Sequence, residues 1–84
     1  MPYFVYIVEC SDATLYTGIA VDVAKRIHEH NTSDRGAKYT KTRRPVTLVY
    51  KEEHPDRSSA TKREIQIKKL SRKEKLELID KESS

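Results

Sequence analysis

The hydrophobic pattern opens with one unbroken run and then breaks into shorter, periodic ones. Tyr3–Cys10 (YFVYIVEC) is apolar at nearly every position and rich in aromatic and β-branched residues. A strand half-exposed to water would alternate, so this run predicts a strand covered on both faces. Ser11, Asp12 and Ala13 have turn chemistry, and Thr14–Ile19 (TLYTGI) reads as the returning strand of a hairpin. From Asp22 the period lengthens. Asp22 is a candidate N-cap, and Val23, Ala24 and Ile27 form the inward face of a helix to about His30. Asn31–Ala37 is rich in Asn, Thr, Ser, Asp and Gly, a loop composition, with Gly36 expected at positive φ.

Pro45 opens a third strand, Val46–Glu52, with Leu48 and Tyr50 on one face and Val49 on the other. Asp56 or Ser58 caps a second helix through about Leu70, in which Ala60, Glu64, Ile67 and Lys68 recur at helical spacing. Ser71-Arg72-Lys73-Glu74 has the form of a capping box and starts a third helix, with Leu76, Leu78 and Ile79 inward and Lys81–Ser84 frayed. The predicted order is β-β-α-β-α-α. The fold class is α/β: a small three-stranded antiparallel sheet flanked by helices. No repeat, linker or low-complexity stretch divides residues 1–84, so one domain is expected.

Composition narrows the function classes. Apolar and charged residues each make up 36% of the chain, which suits a small globule with a highly charged surface. The net charge of +4 favours a polyanion, nucleic acid ahead of a membrane surface. Cys10 is the only cysteine, which excludes an internal disulfide and a Cys-rich zinc site. Residues 3–8 are too short for a signal-peptide core and no run reaches membrane-spanning length, so a cytoplasmic protein is expected.

Several residues carry candidate chemistry. Tyr6 and Tyr16 lie on the two hairpin strands, opposite or one diagonal apart, so their phenols can converge. Each tyrosine alone is as readily explained by packing. Gly18, two residues after Tyr16, marks a bulge, a strand stop or a close approach of backbone or ligand. Arg26 and His30 are one helical turn apart and make a candidate phosphate clamp, or else a solvated face opposite the apolar stripe. Glu64 is a candidate ligand for one Mg²⁺ or Mn²⁺, or an i,i+4 ion-pair partner of Lys68. The segment RGAKYTKTRR contains Arg35, Lys38, Lys41, Arg43 and Arg44 around Tyr39 with no acid, which suits a nucleic-acid backbone and a stacked base.

Taken together these residues resemble the GIY-YIG nuclease superfamily. Val5-Tyr6-Ile7 stands for its first tripeptide, shifted, and Tyr16-Thr17-Gly18 for its second, with Thr17 in the isoleucine place as a packing change. Arg26 on the next helix and Glu64 on a later one complete the ordered set. The segments Leu15–Ile19, Glu29-His30-Asn31, Gly36–Thr40 and Ile67–Ser71 are similar to a small stand-alone bacterial branch, and the likeness covers about residues 3–80.

The resemblance implies hydrolysis of a DNA phosphodiester with one divalent metal, in DNA repair or processing. It implies Glu64 as metal ligand and Arg26 as the group stabilising charge on the phosphoryl oxygens. Tyr6 is implied as the favoured base, with Tyr16 orienting water or phosphate and His30 assisting. Lys38, Tyr39, Lys41, Arg43 and Arg44 are expected to contact nucleic acid, DNA rather than RNA. Active relatives carry an asparagine after the glutamate, whereas the only asparagine here is Asn31. That departure supports an alternative, a nucleic-acid-binding module without turnover. A protein-binding role with an incidental basic surface is the third reading.

Overall fold

The computed structural model describes residues 1–33 and 35–83, with side chains through Lys81. Asp34, in the predicted loop, and Ser84, in the predicted frayed tail, lie outside the described residues. The elements are β1 (Tyr3–Glu9), β2 (Leu15–Ala20), α1 (Val23–Thr32), α2 (Lys38–Lys41), β3 (Thr47–His54), α3 (Arg57–Lys68) and α4 (Arg72–Ser83). The α/β class and the three-stranded antiparallel sheet agree with the sequence reading. The order differs by the short helix α2, which lies inside the basic segment. One turn of helix is too short to leave a hydrophobic period.

The sheet order is β2-β1-β3, with β1 central and antiparallel to both neighbours. This accounts for the unbroken apolar run: Val5, Tyr6, Ile7 and Val8 are all at most 1% exposed. Val5 and Ile7 face one way and pack with Tyr50, Ala60 and Ile67, beneath α3 and α4. Tyr6 and Val8 face the other way and pack with Cys10, Val23 and Val46, beneath α1. Each buried aliphatic side chain stabilises the fold by about 1.5–3 kcal/mol relative to exposure.

The β1–β2 turn is closed by Cys10 N–H to the Thr14 carbonyl at 2.8 Å and Ala13 N–H to the Cys10 carbonyl at 2.9 Å. Ala13 takes a φ of 68° there. Gly36, in contrast, does not have the positive φ expected of it, and neither does Gly18. Gly36 is instead required for space: an added Cβ would lie 2.8 Å from His30 Cα and 2.9 Å from the Glu29 carbonyl oxygen.

Three further expectations are corrected. A register shift opposite Ile7/Val8 pairs Tyr50 with Ile7 but Leu48 with Val8. Leu48 and Tyr50 therefore sit on opposite faces, and Val49 joins the cluster of Tyr50. An extra residue in one strand reverses the alternation on one side of it. Ala24 is exposed, and the buried positions of α1 are Val23 and His30 with Ile27 partly buried between them. Leu76 is 38% exposed, while Leu78 and Ile79 pack on the core. Thr17, in the isoleucine place, is 3% exposed, and its Oγ1 has no hydrogen-bond partner among the described residues.

Candidate functional site

The site begins at the hairpin. Tyr6 pairs with Gly18, and Val8 with Tyr16, so the two tyrosines are one diagonal apart on the same face. Gly18 is neither bulge nor strand end. A Cβ there would stand 2.5 Å from the Tyr6 Oη and 2.7 Å from its Cζ. The missing side chain is the space in which the Tyr6 ring lies, so the close approach inferred from sequence is that of a phenol.

From α1, His30 reaches across to the same place. It is fully buried, and its Nε2 is 2.8 Å from Tyr6 Oη. Its Nδ1 is 3.0 Å from Thr40 Oγ1 and 3.2 Å from the backbone N–H of Ala37. Tyr16 meets the same imidazole edge-on, with ring centroids 5.4 Å apart. The solvated-face reading of His30 is therefore wrong: His30 points into the sheet. An imidazole adds nothing to an apolar count, so the periodicity missed it.

Burial raises the Tyr6 pKa to about 12, and the neighbouring Tyr16 phenol adds to the rise. The positive charge of Arg26 opposes it. Burial lowers His30 to about 4, assisted by the positive charges of Arg26 and Arg44. At neutral pH the pair is a phenol and an uncharged imidazole.

Arg26 sits at the mouth of this cluster. It donates to Glu29 Oε1 at 3.1 Å and to the Arg35 carbonyl at 2.7 Å. Glu64 is on α3; its side chain is 18% exposed and its carboxylate pairs with Lys68 Nζ at 3.2 Å. Its charge still reaches Tyr6 and raises the phenol pKa slightly. Among the described residues no group of three or more His, Cys, Asp or Glu is placed to hold a metal. The Glu64 carboxylate, whose charge is felt at Tyr6, is of the kind that holds Mg²⁺ or Mn²⁺ bound mainly through water and phosphate oxygens.

The basic segment is more structural than its composition implied. Arg44 donates from Nε to the His30 carbonyl and from Nη2 to the Ser33 carbonyl at 2.7 Å, closing the end of α1. Arg43 pairs with Asp12 at 3.1 Å and lies 3.9 Å from the Tyr39 ring centroid. Tyr39 in turn stacks on Tyr16, with centroids 5.8 Å apart. Lys38 and Lys41 are exposed at the two ends of α2. Asn31 pairs through its side-chain amide with both backbone groups of Val46, at 2.7 and 3.1 Å, and so anchors the start of β3.

Sequence reasoning did not find Thr40, the Ala37 amide or a second polar cluster on β3 and α3. In that cluster Glu52 accepts from Tyr50 at 2.6 Å and Arg63 at 3.0 Å, and lies 2.6 Å from His54. Burial works against the Glu52 carboxylate, but these hydrogen bonds outweigh it and hold its pKa low. The i,i+2 spacing of Tyr50, Glu52 and His54 on one strand was the available signal.

Residues 2–77 match the GIY-YIG catalytic domain. A UPF0213 protein of Syntrophus aciditrophicus is 60% identical over 76 residues, which are 90% of this chain and 87% of that protein. One of Desulfotalea psychrophila is 58% identical over 77 residues, 92% of this chain and 70% of that one. The solution NMR structure of a UPF0213 protein from Bacillus halodurans superposes with a TM-score of 0.61 at 42% identity, covering 95% of this chain and 84% of that one. No helix among the described residues is long and apolar enough to cross a membrane. With its paired strand tyrosines, helix arginine and late glutamate set in this fold, the chain belongs to the GIY-YIG catalytic domain family.

Proposed function

We infer that this chain is a divalent-metal-dependent endonuclease domain that hydrolyses DNA phosphodiesters, in DNA repair or processing. The observation that carries the reading is the convergence on one side of the sheet of Tyr6, Tyr16, His30 and Arg26, with the charge of Glu64 felt at Tyr6. Water attacks phosphorus, and the bond to the leaving oxygen breaks. The Arg26 guanidinium is suited to the charge that develops on the non-bridging oxygens. Glu64 would hold the metal, which supplies Lewis-acid stabilisation of the attacking and leaving oxygens. Tyr16 orients water or phosphate. Lys38 and Lys41 at the exposed ends of α2, with Tyr39, Arg43 and Arg44 behind them, supply a surface for the DNA backbone.

Tyr6 is a phenol at neutral pH, so it first donates to a phosphate oxygen and takes a proton only as phenolate. A phenolate base predicts cleavage that rises about tenfold per pH unit above neutrality. A flat profile assigns Tyr6 the donor role alone.

The binding-module alternative has its own support. Arg26 is already engaged by Glu29 and by the Arg35 carbonyl, and no asparagine follows Glu64. The deciding experiment is cleavage of labelled single-stranded, duplex and branched DNA, with single-stranded RNA alongside, in Mg²⁺ or Mn²⁺. We expect wild-type cuts in DNA that vanish with Glu64→Ala. Equal cutting by both proteins, or none by either with DNA still bound, transfers the assignment to the binding module.

A further inference from the structure

We propose that the segment Gly36–Thr40 is a positioning element that holds His30 as the imidazole protonated on Nε2, so that His30 donates a hydrogen bond to Tyr6 instead of receiving the phenol's proton. The catalytic consequence rests on the nuclease reading; the hydrogen-bond assignment does not.

A neutral imidazole has one N–H and one lone pair on its two ring nitrogens. Three groups surround these nitrogens in His30. Two are hydroxyls, Tyr6 at Nε2 and Thr40 at Nδ1, and either can donate or accept. The third is the Ala37 backbone N–H, 3.2 Å from Nδ1, which can only donate. Nδ1 therefore carries the lone pair, and the ring proton belongs on Nε2, 2.8 Å from Tyr6 Oη. The opposite tautomer sets two N–H groups against each other at a buried site.

The segment is built to keep the Ala37 amide there. Thr40 is fully buried: its backbone N–H donates to the Ala37 carbonyl at 3.0 Å, and its hydroxyl, 2.8 Å from that carbonyl and 3.0 Å from Nδ1, turns its one proton to the Nδ1 lone pair. Gly36 lets the chain run flush against the last turns of α1, where a Cβ would strike backbone atoms of His30 and Glu29 that cannot swing aside. Small residue, amide donor and hydroxyl thus fall at positions 36, 37 and 40 of the run. With His30 as donor, the Tyr6 oxygen accepts a hydrogen bond from the ring, and the phenol's own hydrogen is turned away from His30.

The test is a long-range ¹H–¹⁵N correlation spectrum of the histidine rings in the ¹⁵N-labelled protein at pH 7, with no metal or substrate added. We expect a pyrrole-type Nε2 and a pyridine-type Nδ1 for His30. A protonated Nδ1 overturns the proposal. In Gly36→Ala and Thr40→Val we expect the Nδ1-protonated form to appear, and Thr40→Ser to restore the wild-type pattern. The backbone amide spectrum reports whether each variant is folded, and Thr40→Val answers alone if Gly36→Ala is not. Folded variants that retain the wild-type ring pattern remove the segment's role. Because the spectrum requires no cleavage, it fails or succeeds separately from the nuclease assignment.

Discussion

At the scale of single residues, His30 joins stability to the site. It is a buried imidazole with partners on both nitrogens and a pKa lowered to about 4 by burial and by Arg26 and Arg44. An unfolded chain binds a proton at this histidine near pH 6.5, while the folded one resists until about 4. The unfolded state therefore holds more protons in that window, and stability falls as the pH drops through it, by at most about 1.4 kcal/mol per pH unit. Urea unfolding at pH 7, 6, 5 and 4 should show this loss, and a His30→Gln protein should lose less over the same range. A pH-independent midpoint between 7 and 4 would sink this account. The sequence displayed Tyr6, Tyr16, Arg26 and Glu64 because strand and helix periods place them. It did not display Thr40, whose part depends on a loop folding back on α1.

At the scale of elements, local signals were the legible ones. The Asp22 and Asp56 caps act as read: Asp22 accepts from Lys25 N–H at 3.0 Å and Asp56 from Ser59 N–H at 2.8 Å. The capping box closes reciprocally, Ser71 Oγ accepting from Glu74 N–H and Glu74 Oε1 from Ser71 N–H. Each motif is complete within four residues, so the sequence alone suffices to find it. Asp56→Ala should lower the unfolding midpoint in chemical denaturation, with the buried face of α3 otherwise unchanged. No loss would mean that packing of Ala60 and Ile67 holds the helix start without the cap. The bulge in β3 is a different matter. It is defined by which residue of β1 faces which residue of β3, and no window within β3 contains that information.

At the scale of the whole molecule, the positive charge is divided between two uses. Arg43 is paired with Asp12 and Arg44 with the carbonyls of His30 and Ser33, whereas Lys38 is exposed. DNA affinity measured by anisotropy across a salt series should fall steeply. Lys38→Ala should flatten the log–log slope by about 0.9 if it contacts one phosphate. Arg44→Ala should chiefly lower the unfolding midpoint. A slope unmoved by Lys38→Ala and strongly reduced by Arg44→Ala would reverse this division. Charge totals were plain in the sequence, but which cations face solvent was not, because Asp12 is far from Arg43 along the chain.

The central place of β1 also bears on how the chain is made. Of the three strands, the one made before its partners is the one that needs two neighbours, and one of them pairs Tyr3 with His54. Until β3 emerges, the hairpin presents an open edge of the most apolar segment in the protein. Synthesis halted ahead of β3 would yield a sticky fragment instead of a smaller working domain. The closure of β3 onto β1 is a long-range pairing that local helix formation cannot replace.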